Sequence, residues 1–150
     1  MIEIKFNRYL PAPQRKTVRA AAEFFMQELL PTRKANNTDL VIRLIKLPKG
    51  ISGFCSIHDL EDNDYNPRMF SIDLNGNMKL NDVLETLAHE MVHMRQFRNK
   101  ELGYRNNYTR FRGRVYSLDM DYDNEPWEKE AYKLESKLVE KFVAFMQRGE

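Results

Sequence analysis

Two of the chain's three histidines stand four residues apart, with a glutamate directly after the first, in the run Leu87-Ala-His-Glu-Met-Val-His-Met94. No other run constrains the backbone as much. Residues four apart on an α-helix project from the same side, so both imidazoles can reach one ion at the roughly 2.0–2.1 Å that zinc requires. Glu90, one residue on, is turned too far round to join them as a ligand in the same way. It points beside the ion, where a carboxylate can take the proton of a metal-activated water. Zinc draws the pKa of water towards neutrality, so an ordinary carboxylate suffices as the base. The spacing predicts a helix that carries His89 and His93 as metal ligands and Glu90 as general base.

The residues around the motif keep the same period. Across residues 81–97 and just before them, Leu80, Val83, Leu84, Leu87, Met91 and Met94 fall on one side of such a helix. Asp82, Glu85, His89, His93 and Gln96 fall roughly opposite, which turns the histidines towards a cleft or solvent. Asp82 with Glu85 three residues later reads as a capping box.

Elsewhere, Pro11 and Pro13 introduce a helical pattern of Val18, Ala21, Ala22, Phe25 and Leu29, which Pro31 stops. Branched residues at 40–47 read as a strand, and residues 52–58 and 68–74 as two more. Between these two, the polar residues 59–67 read as a solvated loop, because their acids match no calcium-loop spacing. Asn75-Gly76 makes a tight turn. Residues 98–125 are irregular. From Pro126 to about residue 147 runs an amphipathic helix with Trp127, Ala131, Leu134, Leu138, Phe142 and Phe145 in its stripe, and proline suits its first turn. With no repeat and no linker, residues 1–150 are expected to form one α+β domain. It comprises an N-terminal helix, a small mostly antiparallel sheet of about three strands, the motif helix and a closing helix.

Composition narrows the chemistry further. Cys55 is the only cysteine, which excludes an internal disulfide and a thiolate metal site. A net charge of +2 names no partner by itself. There is no secretory signal pattern, and no run approaches the roughly 20 apolar residues of a membrane span. A soluble, cytoplasmic protein with no membrane partner is expected.

A catalytic zinc site takes a third protein ligand and keeps a fourth position open. His58, the remaining histidine, lies upstream in a strand. Downstream, Glu128 and Glu130 flank the stripe of the closing helix on opposite sides, so periodicity does not choose between them. The motif followed by a helical glutamate resembles the gluzincin group of zinc metallopeptidases, and the layout resembles SprT-like and other minimal zincin domains. Gluzincins often carry the third ligand as a glutamate followed by a small residue. The resemblance therefore implies Glu130, next to Ala131, with Glu128 in reserve. It also implies Zn2+ as cofactor, peptide-bond hydrolysis, and an edge strand (52–58 or 68–74) that binds the substrate backbone by strand addition. A side chain that steadies the developing oxyanion is expected as well, and Tyr104, Tyr108, Tyr116 and Tyr132 are available.

Residues 95–114 carry Arg95, Arg98, Lys100, Arg105, Arg110, Arg112 and Arg114 against one acid, Glu101, with Phe97, Tyr104, Tyr108 and Phe111 interleaved. Guanidinium groups meet phosphates and aromatic faces stack on unpaired bases, so nucleic acid stands beside a protein or peptide substrate as a possible partner. The leading expectation is a zinc metallopeptidase. The alternative is a metal-containing but non-catalytic module that binds protein or nucleic acid.

Overall fold

A computed structural model describes residues 1–6, 10–58 and 66–149. The polar stretch expected as a loop therefore lies mostly outside the described residues. In chain order the elements are β1 (Ile2–Lys5), α1 (Ala12–Leu29), α2 (Thr32–Asn36), β2 (Asp39–Ile45), β3 (Gly53–Ile57) and β4 (Met69–Asn75). There follow α3 (Leu80–Arg98), β5 (Leu102–Tyr104), β6 (Tyr108–Phe111), β7 (Arg114–Ser117), a 3-10 turn (Tyr122–Asn124) and α4 (Pro126–Arg148). The class is α+β, as expected.

The main sheet differs from the expectation of about three mostly antiparallel strands. It has four, in the order β1-β2-β4-β3, and the β1–β2 and β2–β4 pairs are parallel; only β3 runs against its neighbour. The added strand is the N-terminal segment, whose Ile2 and Ile4 pair with Leu40 and Ile42 across the α1–α2 crossover. Period-2 alternation sets the two faces of the sheet. Leu40, Ile42 and Leu44 of β2 and Phe70, Ile72 and Leu74 of β4 are all buried in the core with Phe25, Leu87, Met91, Met94 and Phe142 of the helices. Each of these large side chains contributes roughly 1.5–3 kcal/mol on burial. On the other face Arg43 and Asp73, paired in register, make a bidentate ion pair at 2.7 and 2.8 Å.

Three local details place the site. Helix α3 begins at Leu80 after the N-cap Lys79, with no side-chain cap, so Asp82 lies inside the first turn and the expected capping box does not form. There Asp82 still opposes the positive end of the helix dipole. Gly53 permits β3 to approach α3: a Cβ at this position would sit 2.8 Å from the Asp73 carbonyl oxygen and 2.9 Å from Thr86 Cγ2. At its far end α3 closes in a Schellman motif, with Glu101 N–H donating to the Gln96 carbonyl and Lys100 N–H to that of Phe97. The left-handed position of that motif, usually glycine, is held here by Lys100 at φ 61°, at a cost of about 1–2 kcal/mol.

The irregular region 98–125 folds as a second, three-stranded antiparallel sheet, β5-β6-β7. Its tighter hairpin turns on Arg112 and Gly113, both at positive φ (49° and 81°), which matches the two-residue turn whose twist suits a hairpin. Among the described residues, no helix is long and apolar enough to cross a membrane.

Candidate metal centre

The apolar stripe of α3 faces the core; on the opposite side Asp82 and Glu85 are exposed, but the stretch from His89 on is not solvated. His89, Glu90, His93 and Gln96 are all buried, because α4 lies over them. The two imidazoles stand with centroids 5.0 Å apart and planes at 81°. Their Nε2 atoms converge on one carboxylate. His89 Nε2 lies 2.9 Å from Glu128 Oε1, and His93 Nε2 lies 3.0 Å from Glu128 Oε2. One donor atom from each of the three residues falls within 4.8 Å of the others.

Glu130 is elsewhere: it is Glu128, not the expected Glu130, that the structure brings to the two histidines. The two carboxylates are about 200° apart around the helix, so only one can face the histidines. Glu130 instead binds Arg95, Arg112 and the Gln96 amide, the last at 2.9 Å. Glu128 occupies the first turn of α4, where the helix dipole favours a carboxylate, next to Trp127, which is fully buried. A pattern in the sequence does mark it. Glu128, Tyr132 and Glu135, at i, i+4 and i+7, share one face. All three meet His89, the tyrosine ring at 4.6 Å and Glu135 Oε2 at 3.3 Å from Nδ1.

The outer nitrogen of His93 is fixed by a chain of amide contacts. Gln96 Nε2 donates to the Trp127 carbonyl at 3.0 Å and to Glu130, which leaves its Oε1 to accept from His93 Nδ1–H at 2.8 Å. The Nε2 of His93 then carries the lone pair, the form that binds a metal. It is buried and makes no hydrogen bond. A buried, unpartnered nitrogen lone pair beside a carboxylate is a costly arrangement that a bound cation relieves. Two histidines and one glutamate are also a donor set found at catalytic zinc.

Electrostatics around the centre follow from burial and close charge. Burial by itself would raise Glu128, but the close polar contacts of His89, His93 and Tyr122 outweigh it and hold the carboxyl well below the usual range. Burial would lower His93, but the Glu128 carboxylate overrides that and raises it. Glu90 is pushed up, first by burial and then by Glu128 and Glu135, against the opposing pull of the two histidines. A raised carboxyl is a stronger base, which suits the role predicted for it.

No protein-family model, curated protein or solved structure matches this chain. The functional reading therefore rests on the geometry.

A cleft of about 610 Å3 opens onto the centre, lined by Ser52 and Gly53 on one side, His89 and Glu90 at its floor, and Tyr122 and Tyr132 across it. Of the two candidate edge strands, residues 52–58 supply the edge, as β3, whereas 68–74 form the interior β4. His58 follows β3, exposed, with its N–H on the Met69 carbonyl, outside the cluster. Of the four tyrosines expected near the chemistry, Tyr132 reaches the cleft and Tyr116 packs on Trp127 at 5.6 Å. Tyr104 packs on Phe97 and is otherwise exposed. Tyr108 sits half-buried in β6. The sequence reading missed Tyr122, which donates to Glu128 Oε1 at 2.7 Å and lies 3.3 Å from the Tyr132 hydroxyl. It stands in an acidic tract with no period to mark it.

Proposed function

We propose that the chain is a zinc-dependent peptidase of the gluzincin type. The observation that carries this reading is the convergence of His89, His93 and Glu128, with Glu90 buried beside them, next to a cleft that His89 and Glu90 line and that Gly53 of the edge strand β3 borders. His89, His93 and Glu128 would hold the ion. When bound, zinc supplies a Lewis acid that makes water acidic near neutral pH and polarises a carbonyl.

The chain's own residues do the rest. The outward backbone groups of β3, which pair with no strand among the described residues, receive an extended peptide by strand addition. Glu90 takes the proton of the attacking water and passes it to the leaving amine as the C–N bond breaks. The hydroxyls of Tyr122 and Tyr132 line the same cleft and are the nearest phenols to offer a proton to the developing oxyanion. Gln96 keeps His93 in its metal-binding tautomer.

Glu90→Gln keeps the size of the side chain and removes the base. Hydrolysis of an unstructured protein substrate by the zinc-loaded variant should fall about 100- to 10,000-fold, with zinc content unchanged. Equal hydrolysis by variant and wild type would remove Glu90 from the mechanism. Stoichiometric zinc without hydrolysis by the wild type would favour the non-catalytic binding module.

A further inference from the structure

The basic stretch 95–114 is not one surface. Arg95 and Arg112 are spent on Glu101 and Glu130, and Arg98 is buried with its Nε on Thr38. Besides Arg114 at the start of β7, Lys100, Arg105 and Arg110 remain, exposed and in no ion pair among the described residues. They come from three separate elements: the left-handed position closing α3, the β5–β6 turn, and β6. All three line one cavity of about 700 Å3. Its other walls include Cys55 and Ile57 of β3 and the rings of Phe97 and Tyr104. Arg105 is steadied by its bond to the Tyr104 carbonyl at 3.0 Å.

The cavity and the metal centre are served by the same strand. Gly53 borders the cleft over His89, and Cys55 to Ile57 border the cationic cavity. At about 3.3 Å per residue the two are roughly two to four strand positions apart. Asp82 and Glu85 line the cleft, and no lysine or arginine is among its lining residues, so cleft and cavity differ in sign. We propose that the cationic cavity is a specificity pocket for an acidic side chain, Asp or Glu, of a peptide laid along the free edge of β3. That side chain sits within roughly two to four residues of the bond cut. The proposal rests on the peptidase reading for the position of the cut, but the pocket itself is a binding claim. A peptide fits better than a nucleic acid. The cavity opens beside a free strand edge, it carries apolar and aromatic walls for the stem of one side chain, and its three cations line that single cavity.

Nine-residue extended peptides carrying a single Glu, Ala or Lys at the pocket position would be titrated by fluorescence anisotropy onto the zinc-loaded full chain bearing Glu90→Gln, so that none is cut. The Glu peptide should bind about tenfold more tightly than the Ala peptide, the gain of one charge-assisted contact, and the Lys peptide more weakly than either. Arg110→Glu should invert the order of Glu and Lys. Lys100→Gly should lower the Glu-to-Ala ratio without loss of thermal stability, because glycine suits φ 61°. A fold failure therefore cannot imitate the result. Equal binding of the three peptides, including binding of none, would overturn the pocket. So would a short single-stranded oligonucleotide that binds through Lys100, Arg105 and Arg110 more tightly than the Glu peptide. Cleavage of all three peptides at one rate by the wild-type chain would sink the pocket and leave the peptidase standing. Selective binding of the Glu peptide with no cleavage by the wild type would do the reverse.

Discussion

His93 and His89 stand one helical turn apart, but their outer nitrogens are held in different ways. The Nδ1 of His93 donates to Gln96, whose amide is itself anchored on Trp127 and Glu130, so ring orientation and tautomer are set by three linked hydrogen bonds. The Nδ1 of His89 has Glu135 at 3.3 Å, yet makes no hydrogen bond. One half of the centre is built into the packing of α3 on α4, and the other is oriented mainly by the Tyr132 ring and a loosely placed carboxylate. Outer contacts of this kind usually govern affinity as well as geometry. The His93 side should therefore matter more for holding the ion, and the His89 side should tolerate change.

The largest effect should come from what the two halves share. Glu128→Ala removes the carboxylate on which both Nε2 atoms converge, and zinc retention after dialysis should disappear. Glu130→Ala should keep stoichiometric zinc, and the reverse pattern would return the third-ligand role to Glu130. Next, Gln96→Leu should weaken zinc about 10- to 100-fold in a competition titration with a chromogenic chelator. Glu135→Gln should cost less than about tenfold, because no outer hydrogen bond is lost. If Glu135→Gln proved the more damaging of the two, the comparison between the halves would be wrong.

The smallest effect concerns acid stability. Burial would raise Glu130, but Gln96, Arg112 and Arg95 outweigh it, so its carboxyl is lowered in the folded chain. A carboxyl lowered on folding stabilises at pH values above its unfolded pKa of about 4.3, and that stability drains as pH falls through the folded value. In the chelator-treated protein, Glu130→Gln should therefore lower Tm near pH 7, and the gap should close as pH falls from about 4.3 through the lowered folded value. A constant gap across that range would mean that packing, not charge, is what Glu130 supplies.

Much of this was legible in the residues, and the exceptions have physical causes. Helices α3 and α4 announce themselves because each must bury a stripe, and His89, His93 and Glu90 are fixed to α3 by spacing alone. Strand β1 is silent in the sequence: four residues with two isoleucines carry little period, and their partner lies 38 positions away. The β5–β7 sheet was hidden because its turn uses Arg112-Gly113 rather than the asparagine or aspartate that usually marks positive φ. Glu128 was passed over for Glu130 because both flank the apolar stripe of α4 and the gluzincin resemblance favoured a glutamate followed by a small residue, Ala131. The second stripe, Glu128, Tyr132 and Glu135, is polar and becomes a buried face only once α3 brings His89 against it.

Zinc K-edge absorption spectroscopy of the purified, zinc-loaded chain tests the centre most directly. It should report one ion per chain with two imidazole nitrogens at about 2.0–2.1 Å, carboxylate oxygen and no sulfur. A spectrum with a single imidazole, with sulfur from Cys55, or with no stoichiometric ion at all would contradict it.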